Sequence, residues 1–129
     1  MKIRFPLLLL FCCVASLIAQ TSSNSVEEKI RALKEAIARS PNSGQFEFEL
    51  AEVYYGRGSK EDAFEHYRNA VRKDDLKNAV VVYQRLAYLG YELEHFEDAL
   101  KAVDFLLTTA EGKNDMHLPE LRKAIIARL

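Results

Sequence analysis

Residues 50–67 of the 129-residue chain read LAEVYYGRGSKEDAFEHY, and this stretch decides the fold. Apolar side chains recur at steps of three and four on both sides of Gly56-Arg57-Gly58, which is the spacing of one helical face. Ser59 and Asp62 stand in the spacing of an N-terminal capping pair, which marks the start of a new helix. The stretch therefore predicts two helices joined by a short turn.

The same pattern returns 36 residues later, where residues 86–103 read LAYLGYELEHFEDALKAV. The shift brings identical residues together at Leu50 and Leu86, Ala51 and Ala87, Tyr55 and Tyr91, Glu61 and Glu97, Asp62 and Asp98, and Ala63 and Ala99. A period of this length, made of two helices, is typical of stacked helical repeats that bury their apolar faces against one another.

The remaining chain extends this pattern in both directions. Apolar periodicity and turn residues predict six helices, at about 25–39, 45–55, 59–73, 78–91 and 96–107 and from Pro119 to the end. No stretch alternates polar and apolar residues at period two, so no strand is predicted. The fold class is therefore all-α.

These residues resemble the tetratricopeptide repeat (TPR) family. The first copy matches the family pattern at Leu50, Ala51, Tyr54, Gly58, Ala63, Tyr67 and Ala70, and the second at Tyr83, Leu86, Ala87 and Ala99. The chain departs from the pattern with Glu47 in place of the large aromatic, Asp75 in place of the proline, Gly90 in place of tyrosine and Val103 in place of phenylalanine. The resemblance implies a short α-solenoid of antiparallel helix pairs, wound as a right-handed superhelix. It divides the domain at 26–129 into a partial repeat (26–43), two repeats (44–79 and 80–113) and a capping helix (114–129).

The amino terminus has the layout of a secretory signal peptide over residues 1–19. Lys2 and Arg4 precede an apolar run from 7 to 18, which ends at the small residue Ala19. Cleavage is predicted after Ala19, with Ser16 as the alternative, and residues 20–25 are predicted to form a flexible leader. The protein is thus expected to be periplasmic or secreted, and the alternative is a membrane anchor formed by an uncleaved N-terminal segment.

Charge and cysteine content restrict the function further. The chain carries 18 basic and 19 acidic residues, without the basic patch that nucleic-acid binding requires. Both cysteines, Cys12 and Cys13, lie inside the predicted signal peptide. The mature domain is therefore expected to have no disulfide and no thiol chemistry, and nucleic acid is not expected as a partner.

Catalytic and cofactor motifs are missing from the sequence. His66, His95 and His117 do not have the spacing of metal ligands, and no phosphate-binding loop or nucleophile elbow occurs. Most of the acidic pairs lie at predicted helix starts, where the helix dipole stabilises them. The prediction is a non-enzymatic protein without metal or small-molecule cofactor.

The family resemblance instead indicates a binding surface, because first helices of TPR pairs line the concave side. The corresponding residues here are Gln45, Phe48, Glu52, Tyr55, Val81, Gln84, Tyr88 and Tyr91. This stripe carries four aromatics and one acid, and it predicts an apolar or aromatic partner segment with a basic residue opposite Glu52. For Phe48 and Tyr55, simple packing between helices is an equal alternative.

The leading hypothesis is an exported adaptor or scaffold that binds another protein or peptide segment. The second is a homo-oligomeric structural or assembly subunit of the cell envelope. Its contact face would be formed by apolar residues of the last helix, namely Leu121, Ile125, Ile126 and Leu129.

Overall fold

The computed structural model describes residues 8–77 and 79–129, which contain seven helices and no strand. The predicted all-α class is confirmed. The helices are α1 (Leu8–Arg39), α2 (Gly44–Gly56), α3 (Lys60–Ala70), α4 (Ala79–Glu92), α5 (Phe96–Leu106), α6 (Ala110–Lys113) and α7 (Leu118–Ile126).

Helix α1 is longer than the sequence predicts. It was expected to start near Ser25 after a flexible leader, but residues 20–25 continue a helix that begins at Leu8. Extending an existing helix costs much less than starting one, so a few polar residues do not end it. Residues 1–7 of the predicted signal peptide lie outside the described part of the chain. No helix in the described part is long and apolar enough to cross a membrane.

Helix α6 is an additional short helix in a segment predicted only to end the fifth helix. Thr109 caps it, since its hydroxyl accepts the backbone N–H of Gly112 at 3.0 Å and donates to the carbonyl of Leu106 at 2.7 Å. This cap turns the chain between α5 and α7, which pack directly against each other.

The other helices pack mainly against their neighbours along the chain. Helix α1 packs on α2, α2 on α3, α3 on α4, and α4 on α5. Helix α5 begins and ends 36 residues after α3. Helix α4 ends at Glu92, which is also 36 residues after the end of α2 at Gly56. The sequence repeat is therefore also a repeat of helix boundaries.

Equivalent positions of the two copies are buried. The fully buried alanines include Ala51 and Ala63 of the first copy and their equivalents Ala87 and Ala99. Tyr67 and Ala70 are also buried, as are their equivalents Val103 and Leu106. Helices α4 and α5 approach closely at Gly90, where an added Cβ would lie 3.0 Å from the Cβ of Ala99. A side chain at this position would press on Ala99, whereas the equivalent position of the first pair holds Tyr54.

The turns inside the two helix pairs have the same geometry. Gly58 and Glu94, 36 residues apart, are both left-handed, with φ of 78° and 62°. In the first turn the N–H of Ser59 donates to the carbonyl of Tyr54, and in the second the N–H of His95 donates to the carbonyl of Gly90. The second copy therefore places a side chain where glycine is the favourable residue.

Asp75 fastens the connection after α3 to the start of α2. Its carboxylate accepts the hydroxyl of Ser43 at 2.8 Å and the backbone N–H of Gly44. The hydrogen bond from Ser43, followed by that from Gly44, lowers the pKa of Asp75 despite some desolvation. Lys73 adds a second link to the carbonyl of Pro41.

Replacing Glu94 with glycine is expected to stabilise the protein, because glycine adopts positive φ without a steric cost to a side chain. The expected gain in the free energy of unfolding is about 1 kcal/mol. For a domain of this size the gain raises Tm by roughly 4 °C. Thermal unfolding followed by circular dichroism measures the change.

Glu94→Gln is the matched control for this substitution. It keeps a side chain at positive φ but removes the exposed ion pair with Arg128, in which the N···O distance is 3.1 Å. Exposed pairs of this kind contribute little to stability. A Glu94→Gly protein no more stable than Glu94→Gln would contradict the steric explanation.

Candidate partner-binding cleft

A cleft of about 360 Å³ lies between the end of α2 and one face of α4. We call it the α2–α4 cleft. Its α4 residues follow one another at steps of three and four, so they share one helical face, whereas Val82 and Leu86 point into the core. The lining consists of Tyr55, Val81, Gln84, Arg85, Tyr88, Leu89 and Glu92.

Three large apolar side chains of this cleft are exposed to solvent. The exposed fractions are 37 % for Tyr55, 41 % for Val81 and 48 % for Tyr88. Neighbouring exposed apolar groups of this kind mark surfaces that bind other molecules. The structure thus brings four of the predicted concave-face residues together: these three and Gln84.

The other four predicted residues do not line this cleft. Phe48 and Glu52 line a separate depression between α1 and α2. Gln45 bonds through its side chain to Glu49 at 3.3 Å. Tyr91 is partly buried and packs edge-on against Phe96, with ring centroids 6.0 Å apart.

The two aromatics of α2 also take part in packing. The rings of Phe48 and Tyr55 both approach that of the buried Tyr67, with centroid distances of 6.3 and 6.5 Å. Phe48 is partly buried against the core. The packing alternative therefore describes Phe48, whereas Tyr55 both packs and contributes to the cleft surface.

Arg85 is a cleft residue that the sequence analysis missed. Its Nε donates to Oε1 of Glu52 at 3.4 Å, and its guanidinium lies 4.1 Å from the centroid of the Tyr55 ring. The sequence predicts a basic residue of the partner opposite Glu52. The chain itself supplies this positive charge through Arg85. The available signal was a lone arginine next to Gln84, with a side chain long enough to reach the neighbouring helix.

Glu52 joins three helices through its carboxylate. It accepts the hydroxyl of Tyr67 from α3 and the guanidinium of Arg85 from α4. Burial and the nearby carboxylate raise the pKa of Tyr67. Burial alone lowers the pKa of Arg85, but the charges of Glu52 and the two neighbouring tyrosines raise it by more. Both partners therefore stay protonated while Glu52 accepts from them.

Charges also lie near the far end of the cleft. Glu92 forms an exposed ion pair with Lys60 from α3. Burial, and then the charge of Asp115, raise the pKa of Tyr88. One carboxylate oxygen of Asp115 accepts the backbone N–H of His117 at 2.8 Å.

The three histidines lie apart, His66 within α3 and the other two directly before α5 and α7, where neither side chain makes a capping hydrogen bond. Nδ1 of His66 lies 2.7 Å from a carboxylate oxygen of the buried Glu47, and Lys73 lies 4.0 Å from the other oxygen. His95 stacks on Phe64 with centroids 4.7 Å apart, and His117 precedes α7. The described part of the chain contains no cluster of three or more potential metal ligands.

The predicted oligomer face is divided between the core and the surface. Ile125 is fully buried and Leu121 partly buried, because α7 packs its apolar face onto α5 of the same chain. The prediction that these two residues face another copy is therefore corrected. Ile126 and Leu129 remain exposed, at 46 % and 60 %.

Comparison with protein-family models finds no match, and comparison with curated proteins finds no significant relative.

Glu52→Ala is expected to destabilise the protein by about 1–3 kcal/mol, because it leaves the buried hydroxyl of Tyr67 without its acceptor. Chemical denaturation measures the change in the free energy of unfolding. Tyr67→Phe removes the hydroxyl as well as its need for a partner. In a double-mutant cycle, Glu52→Ala should therefore cost less in the Tyr67→Phe background. Additive losses would show that the two groups are not coupled.

Proposed function

We propose that the protein is an exported interaction module, an adaptor or scaffold without catalytic activity, that holds a segment of another protein in the α2–α4 cleft. The observation that carries this proposal is the group of exposed side chains of Tyr55, Val81 and Tyr88 along one cleft. Covering a surface of this composition with an apolar segment lowers the free energy.

We also propose that the helices form a short TPR-type solenoid. Support comes from the shared 36-residue shift of sequence, helix boundaries and left-handed turns. Arg85 of α4 reaches Glu52 of α2, so the first helices of the two pairs are neighbours, as in the inner layer of such an array. The right-handed superhelix is implied by the family resemblance.

The chemistry of the cleft favours binding over catalysis. Its lining combines tyrosines, aliphatic residues and an amide with two charged groups, and each of those charges already has a counter-charge from the chain. Arg85 and Glu52 neutralise one another, and Glu92 is paired with Lys60. Such groups suit recognition of a surface better than proton transfer.

Export is part of the proposal because of the amino-terminal pattern. Basic residues, an apolar run and a small residue at 19 are arranged as in a secretory signal peptide. The partner would then be a periplasmic, envelope or secreted protein. Retention of the segment as an anchor would keep the cleft on the same side of the membrane.

The experiment is capture of partners from an envelope extract with the purified protein and a Tyr88→Ala variant. Loss of a central aromatic typically costs a binding surface about 2 kcal/mol, which lowers affinity more than tenfold. Tyr88→Ala should therefore lose the partners that the unchanged protein retains. Met116→Ala is the control, because Met116 is highly exposed but lies outside the cleft. Identical capture by all three proteins would contradict the proposal.

A second candidate function is self-assembly, which the exposure of Ile126 at the end of α7 and of Leu129 beyond it favours. Light scattering over a range of concentrations should then show an oligomer that Ile126→Glu dissociates and Met116→Glu does not. Ile125 is unsuitable for this test, because a charge at a fully buried position would unfold the chain. A monomer at all concentrations would exclude this alternative.

A further inference from the structure

We propose that the segment held in the α2–α4 cleft is an uncharged peptide with aliphatic or aromatic side chains. This inference rests on the proposed function and adds the chemical class of the partner. It follows from the charge balance and the hydrogen-bonding groups of the cleft.

The charge balance of the cleft is complete without a ligand. The lining contains one cation, Arg85, and one anion, Glu92. Arg85 is paired with Glu52 at 3.4 Å, and Glu92 is paired with Lys60. A charged side chain entering the cleft would lose hydration and would have to compete with a pair that already exists. An uncharged segment meets neither cost.

The groups that remain available suit an uncharged peptide. The guanidinium of Arg85 covers one face of the Tyr55 ring, so the remaining ring surface and Val81 offer apolar contact. Gln84 is exposed and has both a donor and an acceptor in its amide. These are the two groups that a peptide backbone requires for hydrogen bonding. Tyr88 provides a second exposed ring further along α4.

A basic segment is the main rival, because Asp115 lies close enough to Tyr88 for its charge to act on the tyrosine. Asp115 is not part of the cleft lining, and one of its oxygens is engaged by the N–H of His117. Its charge at that end repels acidic segments and acts only weakly on a side chain near Val81 and Gln84. Salt dependence separates the rival from the proposal, since attraction to an exposed carboxylate is screened by salt.

The test is selection from a phage-displayed library of random peptides on the immobilised protein, followed by affinity measurements with the enriched peptides. We expect enrichment of peptides without net charge, whose affinity changes by less than about twofold between low and high salt. Arg85→Gln is the informative variant, because it leaves the carboxylate of Glu52 without its cation. Selection on that variant should shift towards peptides with lysine or arginine, and Met116→Ala should select the same peptides as the unchanged protein.

The outcomes separate this inference from the proposed function. One outcome is enrichment of charged peptides whose binding is salt-sensitive and is lost with the Tyr88→Ala variant. It would overturn the uncharged class of ligand but keep the cleft as the binding site. Peptides that bind Tyr88→Ala as well as the unchanged protein, or no enrichment at all, would overturn the proposed function too. Circular dichroism of Arg85→Gln verifies its fold, and the salt dependence of the unchanged protein decides the question without that variant.

Discussion

The arrangement of this protein depends on how closely its paired helices approach. At Gly90 an added Cβ would lie only 3.0 Å from the Cβ of Ala99, and Ala63, the equivalent of Ala99 in the first pair, is fully buried. Close approach fixes the rotation of α4 about its own axis. Since Leu86 and Ala87 must face the core, Gln84, Arg85 and Tyr88 must lie on the opposite side. The cleft is thus a consequence of the packing.

A second constraint operates between the pairs and is polar. Glu52 accepts hydrogen bonds from α3 and α4 at once, so one carboxylate links the two pairs in addition to the packing of α3 on α4. The same interaction pairs the carboxylate of Glu52 with the guanidinium of Arg85, so neither charge is available to a ligand. One ion pair therefore contributes both to the shape of the cleft and to the chemistry it presents.

The sequence predicts the fold better than the site. Period 3.6 and the 36-residue shift predict α2 to α5 to within a few residues, because each helix buries one clear stripe. Arg85 was missed because a helical stripe does not show how far a long side chain reaches across to the next helix. Ile125 was assigned to a surface because periodicity identifies the apolar face of α7 but not the helix that covers it. The helical residues 20–25 and the short α6 depend on neighbouring structure more than on local propensity.

Three polar links join the α2–α3 pair to the α4–α5 pair and span a similar distance along the chain. Lys60 with Glu92, Arg85 with Glu52 and Arg68 with Asp98 join residues 30–33 positions apart. Each link can therefore form once two adjacent pairs exist, without waiting for the rest of the chain. In the proposed solenoid, folding can start at either pair and spread to its neighbour, and opening at a chain end leaves the middle protected. We therefore expect amide hydrogen exchange to slow progressively from the ends towards α3 and α4.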